Sequence, residues 1–541
     1  MKNLIKTFFV NTFLAYIVSC GEDKAKNRIE DINIDCSTTE TPFNIKNLAM
    51  YTSWEDVTDN LGLYGITAET GSFGDFNDDG FSDLFIAPSK KYPEIYINTC
   101  GTGFIPINLK ERTKISENLD YETFKNAATY IADLDNDGSL DVLFGMSGLR
   151  HGVRILYGER GLKFTEKVLP MEATSSQIGS VGTIDLDRNE YLDLYIARSP
   201  NLQGDIKNEN LFFINQGDRN FVDVTSRMPD TLRYAGSFIT FTYAFIGWQI
   251  LNGIPEYKPR LYIGNDFDPD FLFSHKGGFS FDQIESNTIR ELTSTMGLDY
   301  SYVGDDVVMA LTQTFQTAMI RIEPNGVVDI SNRLKAPTGH VGWDIRFGNF
   351  DNGLDESLII ANAYLVDDSN NPEFGLKDTL FYIQNNHGWF RNKSDTAGSL
   401  FDSTDIANRY LLPYGDFNND GNLDLLVTSY DIQNPEKEIS HEPLYDTTTR
   451  LLMNKGNSNN WIGFKFKNSK YLGSLLRLRS GDREAIKEIK MFTGLGANNY
   501  GFAHLGLGQK SAIDKLELFM RNGKIKDLTR NIEINHYNWL E

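Results

Sequence analysis

Apolar residues fall in short runs of four or five, split by polar, glycine-rich stretches. One such run, Leu84-Phe85-Ile86-Ala87, follows directly on an acidic stretch of nine residues, Asp75 to Asp83. Closely similar text recurs at Asp133, Asp185 and Asp416. Runs this short, bounded by turn residues, predict strands rather than helices. In the first copy a strand ends at Phe73-Gly74, the acidic loop follows, and Leu84 to Ala87 is the second strand. Glu94 to Asn98 is a third strand, Gly101-Thr102-Gly103 a turn, and Phe104 to Asn108 the start of a fourth. Four strands with short connections predict one antiparallel sheet.

The first three loops start 58 and 52 residues apart, a period that points to propellers, solenoids or arrays. Between Asp185 and Asp416 the pattern decays. Leu261 to Asp266 copies the strand after a loop, with Asn252 to Arg260 as a loop without its carboxylates. Val308 to Leu311 is the next such strand, after an irregular Asp299 to Val307. Asn349 to Ser357 is a damaged loop before Leu358 to Asn362. The expected total is seven repeats of about 57 residues. The seventh has strands near Leu411-Leu412, Leu425 to Ser429 and Arg450 to Asn454, and no clear fourth. Trp54 to Thr58 resembles a fourth strand with no repeat of its own. If it completes the last sheet, the ring closes as an all-β, seven-bladed propeller, where an open solenoid needs caps at both ends.

The 541 residues carry a formal net charge of −22, which excludes a general nucleic-acid role. Residues 460–541 differ, with 14 Lys/Arg against 8 Asp/Glu, leaving −28 on the rest. Alternating segments at Trp461 to Phe466, Leu475 to Leu478, Ile486 to Phe492 and Leu516 to Phe519 predict a small β-rich C-terminal domain there. Its basic charge suits an acidic partner, or docking on the acidic repeats of its own chain.

Lys2 and Lys6 precede a mostly apolar Phe8 to Val18, too short to span a bilayer. The leader ends in Ile17-Val18-Ser19-Cys20-Gly21, which resembles a bacterial lipobox. That resemblance implies a signal peptide over 1–19, acylation of Cys20 and an anchor on the outer membrane, periplasmic or surface-facing. An ordinary secretory signal is the alternative, and either takes the chain out of the cytoplasm. Residues 20–48 read as a polar tether. The oxidising compartment permits a disulfide between the remaining cysteines, Cys36 and Cys100, and leaves open whether they meet.

In the first loop Asp75, Asn77, Asp79 and Asp83 stand at positions 1, 3, 5 and 9, with the Phe81 carbonyl available at position 7. The other sets are Asp133, Asp135, Asp137, Ser139 and Asp141; Asp185, Asp187, Asn189, Tyr191 and Asp193; and Asp416, Asn418, Asp420, Asn422 and Asp424. Several hard oxygens on one tight loop suit Ca²⁺, and a glycine at position 6 permits the bend. An EF-hand starts alike but needs a glutamate at position 12 and an exiting helix. Here position 12 is Ile86, Phe144, Ile196 or Val427, so the ligands must close by position 9. The third loop, with Glu190 at position 6, is expected to bind more weakly. Three to four structural calcium ions are expected in all.

Gly74-Asp75-Phe76-Asn77-Asp78-Asp79-Gly80 with Asp83-Leu84, and the copies, resemble FG-GAP/VCBS repeats, as in integrin α-chain propellers. The tail resembles the ASPIC/UnbV domain through Asn460 to Gly463, Gly494-Leu495-Gly496, His504 to Gly508 and Asp514 to Leu518. Proteins joining the two resemble the cartilage acidic protein group, here in a bacterial lipoprotein form. Phe519 to Gly523 departs from the usual Trp-Pro-x-Gly-like turn. The resemblance implies calcium binding and extracellular interaction, and transfers no catalytic residues. No metal-ligand histidine spacing, nucleophile elbow or phosphate loop occurs, and His504 is expected in a structural turn. The expected function is a non-enzymatic, calcium-stabilised, membrane-anchored protein binding an extracellular glycan or protein. The rival is a lyase or hydrolase acting on extracellular polysaccharide, recognisable by His, Arg, Tyr and carboxylates converging at one mouth of the ring. Divergent repeats four to six are the expected carriers of recognition.

Overall fold

Residues bounding the acidic loops sit in strands because their apolar side chains alternate with backbone-paired neighbours on faces that pack together. Repeat one is a sheet of Thr70–Gly74, Asp83–Ala87, Glu94–Asn98 and Phe104–Ile107, in sequence order. The acidic loop is therefore the hairpin connection between first and second strands, with Gly74 paired to Asp83 across its base. Repeat two repeats this order with Lys125–Ala132, Asp141–Ser147, Gly152–Glu159 and Lys163–Val168, plus an outer strand Thr113–Lys114. Repeat three uses Gln177–Ile184, Asp193–Ser199, Leu211–Asn215 and Phe221–Asp223. These details come from a computed structural model that describes residues 34, 36, 52–88, 91–114, 125–147, 152–169, 177–199, 209–236, 239–266, 268–324, 326–333, 338–363, 380–398, 401, 409–429 and 448–541. The leader, Cys20 and most of the tether lie outside the described residues. Among the described residues no helix is long and apolar enough to cross a membrane.

The middle repeats depart from the sequence expectation. Repeat four has no loop at Asn252 to Arg260. Its first two strands, Ile239–Leu251 and Ile254–Asp266, are 13 residues each and joined by a tight turn at Asn252-Gly253. Repeat five likewise lacks the irregular segment expected at Asp299 to Val307. Thr295–Val303 is a strand that turns at once into Asp306–Glu323. Both hairpins are rich in β-branched and aromatic residues, such as Tyr243, Phe245 and Ile250 in one and Tyr300, Tyr302 and Val308 in the other, so strand pairing extends where the ligand residues are gone. Repeats five and six share one sheet of seven strands, so seven separate four-stranded sheets are not observed.

Trp54–Asp56 pairs antiparallel with Arg450–Asn454 and completes the last sheet, with Asp424–Val427 and Tyr414–Gly415. Neighbouring repeats touch around the series: Thr70 and Thr129 share a hydroxyl bond of 2.7 Å, as do Tyr130 and Thr183 at 2.8 Å. Tyr243 packs on Tyr195, Tyr300 donates to the Phe245 carbonyl, and Asp299 accepts from the Phe347 amide. Asp344 accepts from the Leu412 amide, and Thr428 of repeat seven donates to the Glu69 carbonyl of repeat one. The series therefore returns to its start. The core includes Phe73, Phe85, Phe144, Ile263 and Leu425, with buried polar pairs such as Arg154–Glu166 among them. Burying one of these apolar side chains stabilises by about 1.5–3 kcal/mol.

The C-terminal region forms two sheets, Phe502–Gly508 with Asn460–Lys465 and Tyr537–Trp539, and Arg483–Glu488 with Leu475–Ser480, Lys515–Phe519 and Ile525–Asp527. Between them, residues 491–500 run across the inner strands of the repeats. Gly494 pairs with Tyr243, and Thr129 donates to the Gly496 carbonyl. Asn498 makes two bonds of 2.8 Å to the Ile131 backbone, and Asn499 accepts from the Tyr414 amide. This lining satisfies inner-strand polar groups that would otherwise face only each other. A Cys36–Cys100 disulfide joins the tether to repeat one, with Cα atoms 5.5 Å apart, settling what the sequence left open.

Candidate metal centres

All four acidic loops adopt one conformation, and the sequence shows why. At position 9 a fully buried aspartate spans the loop. One of its oxygens accepts from the position-2 amide, at 2.8 Å in Asp83, 2.7 Å in Asp141 and Asp193, and 3.1 Å in Asp424. Its other oxygen accepts from the third strand, from the amides of Asn98, Gly158, Asn215 and Asn454. Position-3 side chains accept from position 5, and position-5 side chains accept from position 7, as at Asn77–Asp79–Phe81 and Asn418–Asp420–Asn422. Position 4 is left-handed in every copy, at Asp78, Asn136, Arg188 and Asn419. Position 6 is left-handed too, which glycine accepts at Gly80, Gly138 and Gly421. Glu190 takes the same φ of 74° in the third loop, a strained choice for a side chain with a Cβ.

In two of the loops the carboxylates also converge on one another. Ligand oxygens of Asp133, Asp135 and Asp141 lie within 4.8 Å of one another, as do those of Asp185, Asp187 and Asp193. Asp133 is 1% exposed, and its Oδ1 has no hydrogen-bond partner among the described residues. Burial and neighbouring carboxylates push Asp75 up to about 6, Asp133 to about 7 and Asp193 to about 8. Asp83, Asp141 and Asp424 are raised well above the usual carboxylate range, chiefly by burial. Desolvated carboxylates this close favour a proton or a cation. The donor sets of the Asp133 and Asp185 loops, all hard oxygen, could hold a metal ion and fit calcium. Asn189 also donates to Asp187 Oδ2 and to the Asn215 carbonyl, so in the third loop position 5 is partly engaged.

The sixth loop is built otherwise. Gln384 donates to Asp351, Asp355 meets His387 and Arg483, and Glu356 pairs with Lys487. Protein groups occupy every one of its acids.

The sequence reading missed a second repeated device. The asparagine ending the third strand clamps two repeats together. Asn98 Nδ2 donates to the Phe417 carbonyl, Asn215 to Leu134, and Asn454 to Phe350, at 2.7–2.8 Å. Each acceptor is position 2 of the preceding repeat's loop. The signal was visible, an apolar strand ending in Asn with Gly two or three residues on, at Asn98-Thr-Cys-Gly, Asn215-Gln-Gly and Asn454-Lys-Gly. His504 is not in a turn but in strand Phe502–Gly508, stacked on Trp461 and bonded to Asn352 at 2.6 Å. Burial keeps it neutral, with its pKa lowered to about 3.

Residues 75–144 and 133–196 match a family model described as FG-GAP-like repeat. Residues 75–196 carry FG-GAP-like repeats. No curated protein matches it. Among solved structures it is similar to BBS1N in complex with ARL6DN, at 12% identity and TM-score 0.42, over 74% of this chain and 98% of that one. YCF48 bound to D1 peptide is similar at 10% identity and TM-score 0.37, over 71% and 96%. AofleA from Arthrobotrys oligospora is similar at 11% identity and TM-score 0.32, over 61% and 89%. The architecture described above rests on the strand pairing of this chain: an all-β series of antiparallel sheets whose first strand completes its last sheet, as in a β-propeller.

Proposed function

We propose that the protein is a calcium-stabilised extracytoplasmic binding protein, held to the outer membrane through Cys20 and built as a seven-bladed propeller with an ASPIC/UnbV-like domain over residues 458–541. The single observation that carries this reading is the four-fold recurrence of one oxygen-lined loop geometry, with a buried, unpartnered oxygen on Asp133. The ions are structural: each clamps the connection between a first and a second strand, and extracellular calcium suffices to fill modest sites.

The FG-GAP-like repeats supply the scaffold, and an extracellular protein or glycan is the ligand. The loop side is engaged by the C-terminal region, through Ser469 on the Asp133 carbonyl, Asn457 and Asn459 on the Asp351 carbonyl, and Asn522 on Glu190. Recognition is therefore assigned to the opposite side. Hairpins of repeats four and five are committed as well: Gly247 and Tyr302 donate to Glu488, Trp248 to the Gly473 carbonyl, and Arg477 to the Gly253 carbonyl.

Against the polysaccharide enzyme stands a place among the described residues where His, Arg, Tyr and carboxylates converge. A cavity of about 70 Å³ is lined by Asp299, Arg346, Tyr414, Lys487, Glu488 and His504. Ligand pockets usually span about 300–1,000 Å³. Its charges are paired, Lys490 with Asp299 and Arg346 with Asp344, which is the pattern of a structural network. Calcium calorimetry on the whole chain, followed by a glycan and protein binding screen with and without EGTA, tests the proposal. Binding without turnover is the expected result, and turnover of a captured polysaccharide would sink it.

A further inference from the structure

Protein cations stand beside the acidic loops in a graded series. At the sixth loop Arg483 and Lys487 hold Asp355 and Glu356 outright. At the third, Arg521 Nη1 lies 3.2 Å from Asp185 Oδ2, with both side chains buried. Between the first and last loops sits Lys465. Its Nζ donates to the Gly80 carbonyl and, at 2.7 Å, to Asn419 Oδ1, and it lies over the Tyr537 ring. Tyr537 in turn donates to Asp416 Oδ2 at 2.7 Å. All of these cations belong to the C-terminal region.

The Asp133 loop differs. Ser469 touches only its backbone, and no C-terminal cation pairs with its acids among the described residues. Its neighbouring cation is Arg219 of repeat three, 2.6 Å from Asp135, 3.5 Å from Asp137 and 3.6 Å from Glu159 and stacked on the Tyr157 ring, with a side chain 31% exposed where that of Arg521 is 6% exposed. At position 1 the contrast is direct. Both oxygens of Asp75 and of Asp416 accept backbone amides, whereas Asp133 Oδ1 accepts nothing.

We propose that the C-terminal region competes with calcium at three loops, through Lys465 at the Asp75 and Asp416 loops and Arg521 at the Asp185 loop, leaving the Asp133 loop as the tightest calcium site. The inference rests on the calcium reading above. A fixed ammonium or guanidinium a few ångströms from a dication repels it, weakly in water and strongly where both are shielded from it. Arg219 is partly exposed, so solvent screens its charge, and Glu159 can keep it as a partner when Asp135 turns to an ion, whereas Lys465 and Arg521 are held by the C-terminal region that carries them. Calcium loading of the seam and docking of the C-terminal region therefore oppose each other, and the sixth loop is the end-point at which protein cations have displaced the ion altogether.

Isothermal titration of the calcium-stripped full chain with CaCl₂ tests this, with near-ultraviolet circular dichroism confirming that each variant is folded. In the wild type one tight site is expected, lost in Asp133→Asn, with weaker sites beside it. Lys465→Met and, independently, Arg521→Met should each tighten weaker sites roughly tenfold or more, while Lys465→Arg keeps the wild-type affinity. Two separate variants leave the test intact should one fail to fold. Unchanged weak sites in both Met variants, with calcium still bound, overturn the competition. Survival of the tight site in Asp133→Asn overturns the ranking. No calcium bound by any protein, Met variants included, overturns the calcium reading itself.

Discussion

Repeats one, two, three and seven differ from repeats four and five in what joins their first two strands. In the first group nine residues fold around inward-facing oxygens, with a buried aspartate tying the loop to the third strand. In the second the strands run on to a tight turn, and the extended hairpin meets the C-terminal region through Glu488, Gly473 and Arg477. One group is organised by local electrostatics that a cation can satisfy, the other by pairing and packing that need none. Repeat six stands between: it keeps the loop but fills it with Gln384, Arg483 and Lys487. The same topology thus tolerates three solutions to one problem, how to hold a hairpin connection rigid at the edge of a sheet.

The largest expected effect comes from cutting the tie in a loop repeat. Asp141→Ala leaves the buried Leu134 and Gly158 amides without acceptors, at about 1–3 kcal/mol each. Urea unfolding in EGTA should show a loss of about 3 kcal/mol, and a loss under 1 would mean that the loop does not depend on its ninth residue. Calcium comes next. At a hundredfold excess over its Kd each ion adds about 2.7 kcal/mol, so on chelation amide exchange should quicken in repeats one, two, three and seven before four and five. The reverse order would erase the comparison.

Glu488 tests the other group through pH. It is fully enclosed at the hairpin junction, and burial raises its pKa to about 7. Between pH about 4.5 and 7 the folded chain holds a proton that the unfolded chain releases, so its contribution falls as pH rises through that window and stays low above it. Glu488→Gln should therefore be more stable than wild type at pH 8, on the order of 2 kcal/mol, and indistinguishable near pH 4. Equal melting curves at both values would show that the carboxyl carries no such linkage. The smallest effect is expected from Glu190→Gly. Relief of the left-handed strain should add about 0.5–1 kcal/mol in EGTA and tighten the third loop's calcium affinity, bringing it nearer the other copies.

Much of this was legible in the chain. A loop whose ligands alternate over nine residues, such as Asp75 to Asp83, writes its own geometry, because each Asx turn is closed by an amide two residues on. The strand at Trp54 could be matched to the last sheet because a missing fourth strand and an orphan strand are both local patterns. Repeats four and five were misread because the expected loop at Asn252 to Arg260 was inferred by analogy with intact copies. Without ligand residues to fold it into a loop, the segment simply continues the hairpin, with Ile254 to Tyr257 paired to Leu251 to Trp248.

Short-range chemistry is what the sequence by itself determined: four oxygen-lined loops, the strands they join, and the strand that closes the series. Only the tertiary structure decided which cation each loop meets. Lys465 and Gly80 are 385 residues apart, and Arg521 lies on a strand-end turn far from Asp185 in the chain. No local pattern records such a meeting, since it depends on where residues 491–500 cross the inner strands and so on the whole set of sheets being assembled first. Turn chemistry acts over a few residues and survives in any context, whereas the field at a carboxylate is the sum over everything that folding brings near it.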